Sequence, residues 1–253
     1  MTENGKIEIA KNNGVARITI SHPKGNSMPS ALLSELANGF RNLGSDPEVT
    51  VIILASAGDK IFCSGASFEE LLSIKTEENG VAFFSGFAEV ITSMITAPKL
   101  IIAQVQGKAI GGGVGLIAAC DYAIAQSAAS IKLSEFSIGF GPFIIGPIVE
   151  RKIGRSNFQG MTIDTDWRDS FWCKAHGLFH RLVETHAELT EQTEALATQI
   201  SLSNPDASLN LKKIFWSDLP NLSELLKERT KITAKLAIST FAQNKVAALQ
   251  KKQ

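Results

Sequence analysis

The stretch 109-AIGGGVGLIAACD-121 carries three consecutive glycines and a fourth two residues later, then runs apolar to a Cys-Asp pair. Glycine inside a helix costs about 1 kcal/mol relative to alanine. A chain that places Gly111, Gly112, Gly113 and Gly115 where a helix opens therefore needs its backbone to approach something closely. Just before it, 99-KLIIAQVQG-107 is a continuous apolar run, the pattern of a strand buried on both faces. The unit is a buried strand, a glycine turn and a helix. It recurs at 49–73, where 49-VTVIILASA-57 leads through a glycine-bearing loop into 62-FCSGASFEELLS-73, with a helix opening near Ser67.

Outward from these two units the chain alternates. The runs 7-IEIAK-11 and 15-VARITIS-21 flank the turn signal Asn12-Asn13-Gly14. Leu32, Leu33, Leu36 and Phe40 recur at helical spacing over 30–43, and a second helix is expected over 80–96. Short strands are expected at 121–126 and 130–135. From about 155 strand signals stop, while 185–200 and 221–250 read as helical, the latter with an apolar stripe of Leu222, Leu225, Ile232 and Leu236. That stripe calls for a surface to pack on, either the core or another subunit. The expected class is α/β, with an α/β core over 1–185 that holds the site and a helical region over 186–253.

Composition excludes several functions. Lys+Arg and Asp+Glu both number 25, so no net field draws in nucleic acid or an anionic membrane. No apolar run reaches the roughly 18 residues that span a bilayer. The N-terminus, 1-MTENGKIEIAKNNG-14, is polar and does not resemble a secretory signal. Cys63, Cys120 and Cys173 show no CxxC spacing, which suits reduced, packed thiols and a cytoplasmic location. His176 and His180 stand four apart but lack a third ligand, so no metal site is expected.

Two helix N-termini that converge could clamp one oxygen as it becomes negative, a hole built of main-chain N–H groups. The bland alternative is that these glycines only let helices pack tightly on a sheet. The motifs 62-FCSGAS-67 and 111-GGGVGLIAACD-121, the early His22-Pro23-Lys24 to Asn26 segment and the helical last third, taken together and in order, resemble the enoyl-CoA hydratase/isomerase (crotonase) family over nearly the whole chain. That resemblance implies a crotonase-like spiral of strand-strand-helix units with a helical C-terminal region.

The resemblance also implies roles. Backbone N–H groups of Ala66 and Gly112 would hold the thioester oxygen of an acyl-CoA, Ser64, Gly65, Ser67 and Phe68 would line the coenzyme path, and Gly111, Gly115 and Phe143 would also line the substrate. Lys24 would meet a phosphate, with Asn26 beside it. The family's hydratases carry one glutamate two residues after the three glycines and a second on the next strand-to-loop segment. This chain has Gly115 at the first position and Glu135 at the second, and bulky Phe143 stands in 139-GFGPFIIGP-147 where the family has a small residue. One carboxylate in a dried site suits double-bond isomerisation over hydration, while a non-catalytic acyl-CoA binder and a hydratase with an unrecognised second acid are the alternatives. No cofactor is expected, since coenzyme A arrives with the substrate, and the family's assembly implies a homotrimer or homohexamer.

Overall fold

A computed structural model describes residues 5–250, so the outer ends of both expected regions lie outside the described residues. The chain opens with an antiparallel hairpin, β1 (Lys6–Asn12) and β2 (Val15–Ser21). Its turn holds Asn13 at φ 47° and Gly14 at φ 80°, the left-handed pair that matches the twist of the strands.

After α1 (Ser30–Ser45) one unit repeats. A first strand enters a large sheet, a second short strand enters a small sheet, and a helix follows. β3 (Val51–Ser56), β4 (Ile61–Cys63), α2 (Phe68–Ser73) and α3 (Glu77–Thr96) make the first unit. β5 (Leu100–Val105), β6 (Lys108–Ile110) and α4 (Gly112–Ala119) make the second. In the third, β7 (Tyr122–Gln126) and β8 (Ser130–Lys132) lead through a 3-10 turn at Phe136–Ile138 to α5 (Gly146–Ile153). The remainder is α6 (Arg155–Asp164), β9 (Arg168–Asp169), α7 (Ser170–Ala175), β10 (Arg181–Val183), α8 (His186–Ser201), α9 (Pro205–Phe215), α10 (Leu222–Ala237) and α11 (Thr240–Gln250).

The large sheet runs β1-β2-β3-β5-β7-β10 and the small one β4-β6-β8-β9. Apart from the first hairpin and the β8–β9 pair, the strands are parallel. Register in the small sheet positions the site. Cys63 pairs with Ala109, so the two glycine turns leave neighbouring strands side by side. Ile110 pairs with Lys132, which delivers Glu135 next to Gly111. One face of the large sheet packs Val51, Ile53, Ala55 and Ile102 against Ala197 of α8; the main core lies on the other face.

Three expectations need correction. Strands do occur beyond 155: β9 and β10 are too short to show alternation, and each owes its place to an edge the earlier strands left open. The helix expected over 221–250 breaks between Ala237 and Thr240, and α9 lies where no element was expected. The apolar stripe is also rotated. α10 buries Leu222, Leu226, Thr230, Thr233, Ala234 and Ala237, chiefly against α3, where Gly80 lets Ala234 come close. Leu225 and Ile232 are half-buried shoulders and Leu236 is exposed. The stripe therefore finds its surface within the chain, and it no longer argues for a second subunit.

Candidate active site

Gly65 joins the two turns. It sits at φ 85°, and a side chain there would meet the Ile110 carbonyl at 2.8 Å and the Gly112 nitrogen at 3.4 Å. Only glycine brings the backbone at 65–66 so near that at 111–112. The outer side of this turn is held by Met28 N–H donating to the Gly65 carbonyl at 2.8 Å and by Ser64 N–H donating to Gly25 at 3.0 Å. Among the described residues, neither the Ala66 nor the Gly112 N–H has an acceptor. Gly112 is the first residue of α4, so its N–H belongs to the unpaired set at the positive end of that helix.

The glycine run has a separate reason at each place. At Gly111, with φ 52°, a Cβ would lie 2.9 Å from Glu135 Oε1; at Gly112 it would lie 2.3 Å from the Phe87 ring; at Gly113 it would lie 2.5 Å from the Cys63 carbonyl. Gly115 faces Ile145, whose Cγ2 stands 2.3 Å from where a Cβ would be. Gly115 therefore does not line the cavity, contrary to expectation, because Ile145 fills that space.

The inner cavity is about 60 Å³. Its walls include Ser64, Gly65, Ala66, Phe68, Gly111, Gly112, Glu135 and Phe143, all expected from the sequence. Among the described residues, Glu135 is its one ionisable side chain. The residue as a whole is half-buried, but its Oε2 is sealed from solvent and has no hydrogen-bond partner. Burial pushes this carboxyl up to about 7, only partly opposed by the backbone N–H groups of Glu135 and Ser134.

A second, outer cleft of about 340 Å³ shares Ser64, Ala66, Phe68 and Ile110 with the inner cavity and adds Lys24, Ser27, Ser67 and Glu69. Ser67 caps α2 by accepting from the Glu70 N–H. Lys24 is exposed and ion-paired with Glu69. Asn26 lines neither space. Its amide donates to the carbonyls of Ala57 and Ile61, both at 2.8 Å, and accepts from His22 N–H at 3.0 Å. With its polar atoms so engaged and φ at 54°, it shapes the loop instead of contacting a ligand.

The sequence did not single out Phe84, Phe87, Phe140, Ile145 or Thr233, which also line the inner cavity. Nothing in their pattern separates them from core residues. The three cysteines are buried and free, and burial pushes the Cys63 thiol up to about 12, so it is no nucleophile. His176 and His180 do not share a helix, since α7 ends at Ala175. No set of three His, Cys, Asp or Glu among the described residues is placed to hold a metal ion. No described helix is long and apolar enough to cross a membrane.

Comparison with known proteins gives a consistent picture. The family model described as enoyl-CoA hydratase/isomerase matches residues 10–251. The carnitinyl-CoA dehydratase of Shigella flexneri is 29% identical over 85% of this chain and 82% of its own length. A Bacillus subtilis protein named "Probable enoyl-CoA hydratase" is 27% identical over 84% and 82%. The crystal structure of an enoyl-CoA hydratase from Bacillus halodurans superimposes with a TM-score of 0.89 at 23% identity, over 96% of this chain and 99% of that one.

Proposed function

This chain belongs to the enoyl-CoA hydratase/isomerase family, whose members act on acyl-CoA thioesters, and from that premise we propose that it isomerises an enoyl-CoA double bond with Glu135 as the one acid/base. The observation that carries this is the buried, unpartnered Oε2 of Glu135 on a wall with no other ionisable side chain. In a 3-enoyl-CoA, the ionised carboxyl removes a proton from C2. The C–H electrons form a C1–C2 double bond, and the negative charge moves to the thioester oxygen between the Ala66 and Gly112 N–H groups. When the charge returns, C2 and C3 become doubly bonded, the old C3–C4 double bond opens, and C4 takes the proton back from Glu135. No water enters and no cofactor is consumed. A carboxyl near 7 is ionised in a useful fraction at neutral pH, yet basic enough to remove a proton.

Coenzyme A would lie in the outer cleft along Ser64, Ser67 and Phe68, with Lys24 at its phosphates. A trimer or hexamer is the assembly we propose. It rests on the exposed Phe136, Ile163, Leu236 and Phe241 around one surface groove, and light scattering reads it directly.

A second reading, addition or removal of water across the double bond, is favoured by the relatives' names. It calls for a second group to hold the water, and Ile145 fills the place next to Gly115 where the family's hydratases have that carboxylate. The test is to give the purified protein 3-butenoyl-CoA and crotonyl-CoA in deuterated water and follow products by NMR. Isomerisation faster than hydration, with the C2 proton carried to C4 and little deuterium entering from solvent, is the expected result. Brisk hydration without isomerisation overturns it, and binding without turnover of either compound identifies a non-catalytic binder. Gly115→Glu alone should not restore hydration; Gly115→Glu with Ile145→Ala makes the space.

A further inference from the structure

We propose that Phe84, Phe87, Phe140 and Ile145 restrict the substrate to short, unbranched acyl groups of about four carbons. The inference rests on the acyl-CoA reading above and adds the size of the acyl group to it. The inner cavity is about 60 Å³. A dry apolar cavity of roughly 150 Å³ accommodates benzene, six carbons, so this one has room for about two or three. On the acyl-CoA reading the thioester carbon would sit between Ala66, which also borders the outer cleft, and Gly112, which brings the acyl group to about four.

The wall is built to stay where it is. Phe84 meets Phe140 edge-on at 5.8 Å, and Phe83 meets Phe84 at 5.1 Å and Phe87 at 6.4 Å. Each ring is at most 6% exposed. Phe87 already occupies the space over Gly112, and Ile145 the space beside Gly115. Each faces the cavity on one side and a packed glycine on the other. The three phenylalanines of α3 are further backed by α1 and α10. A longer chain must therefore displace packed rings, and close-packed interiors resist such overfilling. A branch at C2 or C3 meets the same wall.

The experiment is a length series in two readouts. The first is kcat/KM for enoyl-CoAs of four, six, eight and ten carbons, with wild type, Phe140→Ala and the milder Phe84→Leu. The second is the affinity of saturated acyl-CoAs of the same lengths by calorimetry. Each added methylene in a tight pocket changes discrimination by roughly tenfold or more. Wild type should therefore lose at least a hundredfold in kcat/KM from four carbons to ten. Either variant should raise the eight-to-four ratio at least tenfold. Equal kcat/KM or equal affinity across lengths overturns the proposal, as does an unchanged ratio in folded variants. If no length turns over while butyryl-CoA binds best, the length inference stands and the isomerase reading falls.

Discussion

Asp121 and Glu135 are both carboxylates shielded from water, and they are buried in opposite ways. Asp121 Oδ2 accepts from Lys212 Nζ at 2.6 Å and from the Ile101 N–H at 2.8 Å, and its Oδ1 accepts from Trp216 Nε1–H at 2.9 Å. Arg151 and Lys152 lie over the Trp216 ring at 4.8 and 5.7 Å. Every strong demand of that charge is met, and the result is a clamp that fastens α9 to the end of β5. Glu135 has backbone N–H groups, no cation, and one oxygen with no partner at all. Burial that is satisfied builds the fold, whereas burial left unsatisfied holds a reactive group ready.

The sharpest way to break this contrast is Glu135→Gln. On the proposed reaction, losing this carboxylate should lower turnover by roughly 10²- to 10⁴-fold, with circular dichroism unchanged. A variant that keeps a tenth of wild-type turnover would make Glu135 as structural as Asp121.

Asp121→Asn should do the reverse. Removing one partner of a buried ion pair costs about 3–5 kcal/mol, read as a lower urea midpoint, while turnover per folded molecule stays near wild type. Asp121→Asn with Lys212→Met should recover part of the loss. A cost below about 1 kcal/mol would dissolve the distinction from the other side.

Stability against pH sharpens it further. The Glu135 carboxyl is raised from 4.5 to about 7 in the folded chain, so the native state holds its proton more tightly than the unfolded state. The stability it contributes is complete below about 4.5 and is lost as pH rises through about 7. At one pKa unit per 1.36 kcal/mol, Glu135→Gln should stabilise the fold by about 3 kcal/mol at pH 8 and by nothing at pH 4. The same titration should make kcat/KM fall about tenfold per pH unit below about 7. The smallest effect belongs to Lys24→Met. Lys24 is exposed, so a phosphate contact made by it is screened by salt; KM should rise by under about fivefold and the change should fade in high salt.

The parts of this molecule that were legible in the sequence are those with a local signature. Strand–turn–helix repetition exposed β3, β5 and α4, and the Gly65 and Gly111 turns carried their own demand for small residues. Glu135 was legible only through family resemblance, because a glutamate after a short strand has no local mark of burial. β10 was missed for a related reason, since it exists by pairing with β7; α9 did carry a local mark, an Asn204 cap followed by Pro205, that its short length leaves easy to pass over. The inner wall was hidden because Phe84 and Phe87 satisfy the same helical spacing that a core face would. Asn26 was misread because a polar residue beside a ligand-like motif looks available until its three bonds are counted.

Thr233 of α10 forms part of the inner wall, which gives the site an order in time. During synthesis the two glycine turns and Glu135 leave the ribosome well before α10 does. At roughly 5–20 residues per second, the interval between Glu135 and Thr233 lasts on the order of 5 to 20 seconds. Through that interval the part of the wall that Thr233 contributes is missing from the cavity. Both glycine turns and Glu135 therefore precede the last piece of the wall, which arrives when α10 docks on α3.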